Sequence, residues 1–110
     1  MPDDAIAEFP MHKDEAIEKV QKGIAWLDEN YPDWRDKMDW SEFSLWNTHC
    51  CVIGQLYGDY FVEVSEDGRL SYGQALELGF DAFYSNNMSI LHNTWKELGP
   101  GELRAVQKET

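Results

Sequence analysis

Asp14-Glu15-Ala16-Ile17-Glu18-Lys19-Val20-Gln21-Lys22-Gly23-Ile24-Ala25-Trp26-Leu27-Asp28-Glu29-Asn30 is the stretch whose pattern decides the fold. Ile17, Val20, Ile24, Leu27 and the following Tyr31 recur at intervals of three and four residues, which a helix gathers on one face. Glu15 and Glu18, in the first turn, suit the positive end of the helix dipole. Pro32 stops the element, because the residue before a proline is pushed away from helical dihedrals. The pattern predicts a helix from about Asp14 to Asn30. Trp26 falls off its apolar stripe, either to cover the segment that follows or to stand as an exposed anchor.

Downstream, residues 33–46 interleave Trp34, Trp40, Phe43 and Trp46 with Asp33, Asp36, Asp39 and Glu42. Four large aromatics in so short a span must pack on the domain. Asp33 to Met38 reads as one helical turn, and Asp39 or Ser41 could start another. Asn47 and Thr48 offer caps for a helix over about Cys50 to Tyr57, with Val52, Ile53, Leu56 and Tyr57 apolar. Gly54 and Gly58 make a flat stripe on it, and Gly58 is a C-terminal stop. Tyr60-Phe61-Val62-Glu63-Val64 is rich in strand formers and precedes the turn signal Asp67-Gly68, so a small hairpin is expected here.

Ser71 and Gln74 then have capping-box spacing, with Leu70 able to staple onto Ala75. The helix through Ala75, Leu76 and Leu78 stops at Gly79, which folds Phe80 back against it. Ser85, Asn86 and Asn87 are candidate caps for a last helix with Met88, Leu91, Trp95 and Leu98 on its apolar side, ended by Gly99-Pro100. The expected architecture is mainly α, a compact bundle of three to four short helices with at most one small β-hairpin. Residues 1–12 read as a flexible arm, 13–99 as a single helical domain and 100–110 as a tail.

The chain has 110 residues, 43% hydrophobic and 14% aromatic, enough to bury the core of one domain. Its 21 acids against 9 Lys plus Arg leave a formal net charge of −12. Residues 1–58 hold 12 acids and 5 bases, residues 59–95 hold 6 and 1, and the last fifteen balance at 3 and 3. The acidity therefore belongs to the folded part. It opposes direct binding to phosphate backbones and to anionic membrane surfaces. Met1-Pro2-Asp3-Asp4 lacks the positive start and apolar run of a secretory signal, and no run approaches the ~18 apolar residues of a membrane span. A soluble, cytoplasmic protein is the expectation.

Cys51-Val52-Ile53-Gly54-Gln55-Leu56-Tyr57-Gly58-Asp59-Tyr60 resembles a pattern, Cys-Val-x-Gly-Gln-Leu-Tyr-Gly-x-Tyr, of small uncharacterised acidic proteins of actinobacterial phages and prophages. Gly23 to Asp28 ahead of Pro32-Asp33-Trp34, and Glu77-Leu78-Gly79-Phe80 downstream, are similar to flanking elements of that family and fall in the same order. The resemblance spans about residues 20–98. It departs in the doubled cysteine and in the strand-like Phe61 to Val64. It implies a phage setting and carries no catalytic residues with it.

Chemistry-bearing residues are few. His49, Cys50 and Cys51 could hold a metal with His12 or His92, but adjacent cysteines on a helix diverge by about 100° and lack the spacing of zinc pairs. Two reduced thiols, at least one of them buried, is the preferred reading. A cysteine nucleophile would need an oriented base, and His49 points away from Cys50 on a shared helix. There is no phosphate-cradling glycine loop, Gly-x-Ser-x-Gly or His-Glu-x-x-His. No catalytic residue, metal or cofactor is assigned. Gln55, Tyr57 and Tyr60 of the central motif, with Trp26, are the candidate binding residues, against the plainer reading that they serve the core. The expected function is binding and modulating a host or phage protein with a basic surface, charge mimicry of nucleic acid being its narrower form. A thiol- or metal-dependent regulator centred on His49-Cys50-Cys51 and a virion assembly component are the alternatives.

Overall fold

The pattern that predicts the first helix also builds it. In a computed structural model that describes residues 11–82 and 84–100, helix α1 runs Lys13–Asn30. It is followed by α2 (Trp34–Lys37), α3 (Val52–Tyr57), α4 (Tyr60–Glu63), α5 (Tyr72–Glu77) and α6 (Ser85–Leu98). Two long helices, two short ones and two single turns make a mainly helical bundle, with no named strand among the described residues. The tail from Gly101 and positions 1–10 of the arm lie outside the described residues. Met11, at the end of that arm, is buried, and its N–H donates to Asn87 Oδ1 at 2.8 Å.

Helix α1 packs against α6. Its most buried line is Ala16, Val20, Gly23 and Leu27, turned by one residue from the isoleucine-centred stripe, with Ile24 only partly buried. The small residues explain the turn. A Cβ on Gly23 would lie 2.3 Å from the Leu78 carbonyl oxygen and 3.0 Å from the Trp95 ring, so the partner surfaces enter where larger side chains would stand.

The core is aromatic. Trp95 stacks on Phe80 at 5.5 Å and meets Trp34 edge-on at 6.4 Å, while Trp26 meets Phe80 edge-on at 6.1 Å. Both buried indoles have partners: Trp95 Nε1 donates to Gly79 O at 2.7 Å and Trp34 Nε1 to Asp28 at 2.9 Å. Phe80 reaches this cluster because Gly79, at φ +78°, reverses the chain after α5. Phe80 N donates to Ala75 O at 2.9 Å and Gly79 N to Leu76 O at 3.3 Å, the paired bonds of a Schellman stop. At the other end of α5, the Ser71–Gln74 capping box forms as its spacing implies.

Tyr60 to Val64 is the main correction. These strand formers make the helical turn α4, and the expected hairpin reduces to one bridge between Val64 and Leu70. Asp59 caps the turn, its carboxylate accepting from Phe61 N at 2.9 Å. A strand would put residues 60, 62 and 64 on one face, yet Tyr60 and Val64 are buried while Val62 is 63% exposed. The i, i+4 spacing serves the core better here, and local β propensity yields to it.

Smaller differences have local causes. Helix α3 begins at Val52 and not near Cys50, because the Asn47 side chain accepts from His49 N and Cys50 N and holds them in a turn. Asp39 likewise ties Ser41 into a turn and starts no helix. At the head of α6, Tyr84 is the N-cap, and Asn87 serves the Met11 amide from inside the helix.

Candidate functional site

Gln55 sits on the outer side of α3 and faces the irregular segment 38–50. Its Oε1 accepts from Asp39 N at 2.7 Å, and its Nε2 donates to Asp39 O at 3.1 Å and Cys50 O at 2.9 Å. The motif glutamine is thus a clamp between main-chain segments. Tyr57 is half-buried, edge-on to Tyr31 at 5.3 Å, with the Arg69 guanidinium 4.1 Å above its ring. Burial pushes its hydroxyl pKa up. Trp26 is half-buried against Phe80. These three positions join elements of the fold to one another.

Tyr60 leads to a different place. It is only 7% exposed, and its hydroxyl donates to the Asp81 carboxylate, twenty-one residues away in sequence. Burial first, and then the hydrogen bond and charge of Asp81, raise the Tyr60 pKa far above the ordinary phenol range. Tyr60 and Asp81 line an open cleft of about 130 Å³ with the buried thiol Cys51 and the Phe80 ring. Trp46 and Phe61 also line it and remain 51% and 70% exposed. Tyr72 and Tyr84 are also exposed, at 44% and 50%, but neither lines this cleft; what distinguishes Trp46 and Phe61 is exposure at its lining.

Asp81 is the charged group among the residues that line the cleft. Its Oδ1 accepts from Ala82 N at 2.7 Å and its other oxygen from Tyr60. The described ion pairs lie elsewhere: Lys13–Glu97, Lys22 with Glu18 and Glu77, Arg35–Asp28 and Arg69–Glu63. Asp81 therefore has no cationic partner among the described residues. Tyr72 also feels it, its pKa raised by burial and then by the Asp81 charge.

The thiols and histidines are held in separate arrangements. Cys51 is buried and its pKa is pushed up to about 11, chiefly by desolvation, so it stays protonated and a poor nucleophile at neutral pH. Its Sγ accepts from Gly54 N at 3.3 Å and so caps α3. Cys50 is half-buried. His49 Nδ1 lies 2.8 Å from Gly58 O, whereas His92 Nδ1 accepts from Leu45 N at 3.2 Å. Among the described residues, no three His, Cys, Asp or Glu side chains converge as metal ligands.

Of the four candidate binding residues, Tyr60 alone lines the cleft; Trp26 touches it through Phe80, and Gln55 and Tyr57 do not border it. Sequence reasoning missed Trp46, Phe61 and Asp81. The available signal was Asp59 as a helix cap: a helical turn from residue 60 turns Phe61 and Val62 away from the face of Tyr60 and Val64. No helix among the described residues is long and apolar enough to cross a membrane. In comparisons with known proteins, the chain matches no family model, no curated protein and no solved structure.

Proposed function

We propose that this chain is a small acidic interaction protein whose contact face is the cleft bordered by Trp46 and Phe61. The observation that carries this reading is the pair of large aromatic side chains, 51% and 70% exposed, that line one open depression. Exposed aromatics around a recess are the usual anchors of protein recognition, since they bury much area at low entropy cost. A charge of −12 supports a basic partner surface, because complementary fields speed encounter and reject acidic competitors. The phage-like central motif supports a host or phage protein as that partner, met in the host cytoplasm. Binding there would modulate the partner by covering part of its surface.

Affinity capture with the tagged full chain, from phage-infected actinobacterial lysate, tests the reading. The wild-type chain retains a partner, and a Trp46→Ala, Phe61→Ala double variant loses it by at least tenfold. Circular dichroism checks that the double variant folds, because Trp46 also packs against His92. Equal retention by both proteins overturns the cleft as contact face. Nucleic-acid mimicry would leave its mark as capture that survives the double variant but disappears in about 0.5 M salt, where exposed charges are screened.

A further inference from the structure

Resting on that contact-face reading, we infer that the cleft is a socket for one arginine side chain of the partner, its guanidinium taken between Trp46 and Phe61 and paired with the Asp81 carboxylate. Three features specify the ligand. The first is charge. Asp81 is half-buried and bears on the cleft, and among the described residues each of its oxygens accepts one hydrogen bond. A carboxylate offers about four lone-pair sites, so two remain for a donor from outside. Lys19, on an adjoining cleft that Asp81 also borders, stays beyond ion-pairing distance and does not neutralise it. An anionic ligand is excluded by the same carboxylate.

The second feature is the apolar lining. Trp46, Phe61 and Phe80 supply aromatic surface around the carboxylate. A weakly hydrated, planar cation is attracted to aromatic faces and can present two parallel N–H donors to one carboxylate. Arginine combines these properties; the ammonium of lysine is more strongly hydrated and gives up more on entering an apolar recess. The third is size. At about 130 Å³ the space is well below the ~300–1,000 Å³ of cofactor and small-molecule pockets, which suits one inserted side chain. Affinity beyond that one side chain then comes from the surrounding surface, where Val62 stands exposed beside Phe61.

The test is an NMR titration of the full chain with N-acetyl-arginine methylamide, its neutral isostere N-acetyl-citrulline methylamide, and the lysine analogue. The arginine probe shifts the Trp46 indole N–H and Phe61 ring signals with a millimolar Kd. Citrulline binds at least tenfold more weakly, and lysine falls between them. Asp81→Asn, which keeps hydrogen-bonding capacity toward Tyr60 and Ala82, reduces arginine binding tenfold or more. Phe61→Ala gives the same loss from an exposed site, should the Asp81 variant fail to fold. Equal binding of citrulline, undiminished binding by Asp81→Asn, or arginine-induced shifts confined to other surfaces overturns the socket. Partner capture separates the two readings. A partner lost with Trp46→Ala, Phe61→Ala but fully kept by Asp81→Asn leaves the contact face standing and removes the arginine. Arginine binding in the cleft without any partner that depends on the two aromatics does the reverse.

Discussion

Gln55 satisfies three main-chain groups with one side chain, and its value can be measured. Gln55→Ala takes the partner of Asp39 N and one of two hydrogen bonds from each of Asp39 O and Cys50 O, which keep Glu42 N and Ser44 N. The expected cost is about 1–3 kcal/mol by urea denaturation, with the lower part of that range set by water reaching Asp39. Its neighbour Gly54 is constrained by space. A Cβ there would lie 2.2 Å from Thr48 O and 2.7 Å from His49 Cα, both backbone atoms, so Gly54→Ala should destabilise by at least the ~1–3 kcal/mol of ordinary overpacking. Cys51 makes a pH prediction. Burial pushes its thiol pKa up from the ordinary 9.0 to about 11 in the folded chain. Below pH 9 it is protonated in both states and contributes no pH dependence. Between those values the unfolded chain has released the proton while the folded chain has kept it, so stability falls with rising pH. The full difference is about 2–3 kcal/mol, seen as a decline in urea midpoint that is shallower in Cys51→Ala. Burial of one thiol was legible from the adjacent cysteines; which one, and its capping of Gly54, depended on where α3 begins.

At the scale of elements, the segment between α2 and α3 has no helix of its own and is held from two sides. Gln55 grips it at Asp39, and His92 of α6 grips it at Leu45. The His92 ring also stacks on Phe43 at 4.8 Å and lies 5.1 Å from Trp46 at the cleft border. Desolvation, and then the Lys96 charge, lower the His92 pKa. Above the ordinary histidine value of about 6.5 the imidazole is neutral in both states and its contribution is intact. As pH falls below that value the unfolded chain takes up the proton first, so stability drops with acidification. Protonation also removes the Nδ1 acceptor of Leu45 N–H. Urea titrations at pH 7.5 and 5 should show this loss together with a change in native-state tryptophan fluorescence, both reduced in His92→Phe. The aromatic content of this segment announced that it packs. Its partners, forty-seven residues away in the case of His92 and Leu45, were beyond any local pattern.

For the whole molecule, charge is the governing quantity. A net −12 on one small domain produces self-repulsion that the described ion pairs, mostly exposed, offset little. Raising NaCl from about 10 to about 150 mM shortens the Debye length from roughly 30 to 8 Å and should raise Tm by calorimetry. A fall in Tm would mean that attractive pairs outweigh the repulsion. The sequence by itself determined the mainly helical class, the first helix, the capping box at Ser71 and the reversal at Gly79. Each of these depends on residues within about one or two helical turns, where periodicity and capping act. Only the tertiary structure decided that Tyr60 to Glu63 is a helical turn, that Trp46 and Phe61 stay outside, and that Tyr60 meets Asp81. Those outcomes depend on which face of a short element finds the core, and distant residues supply that core.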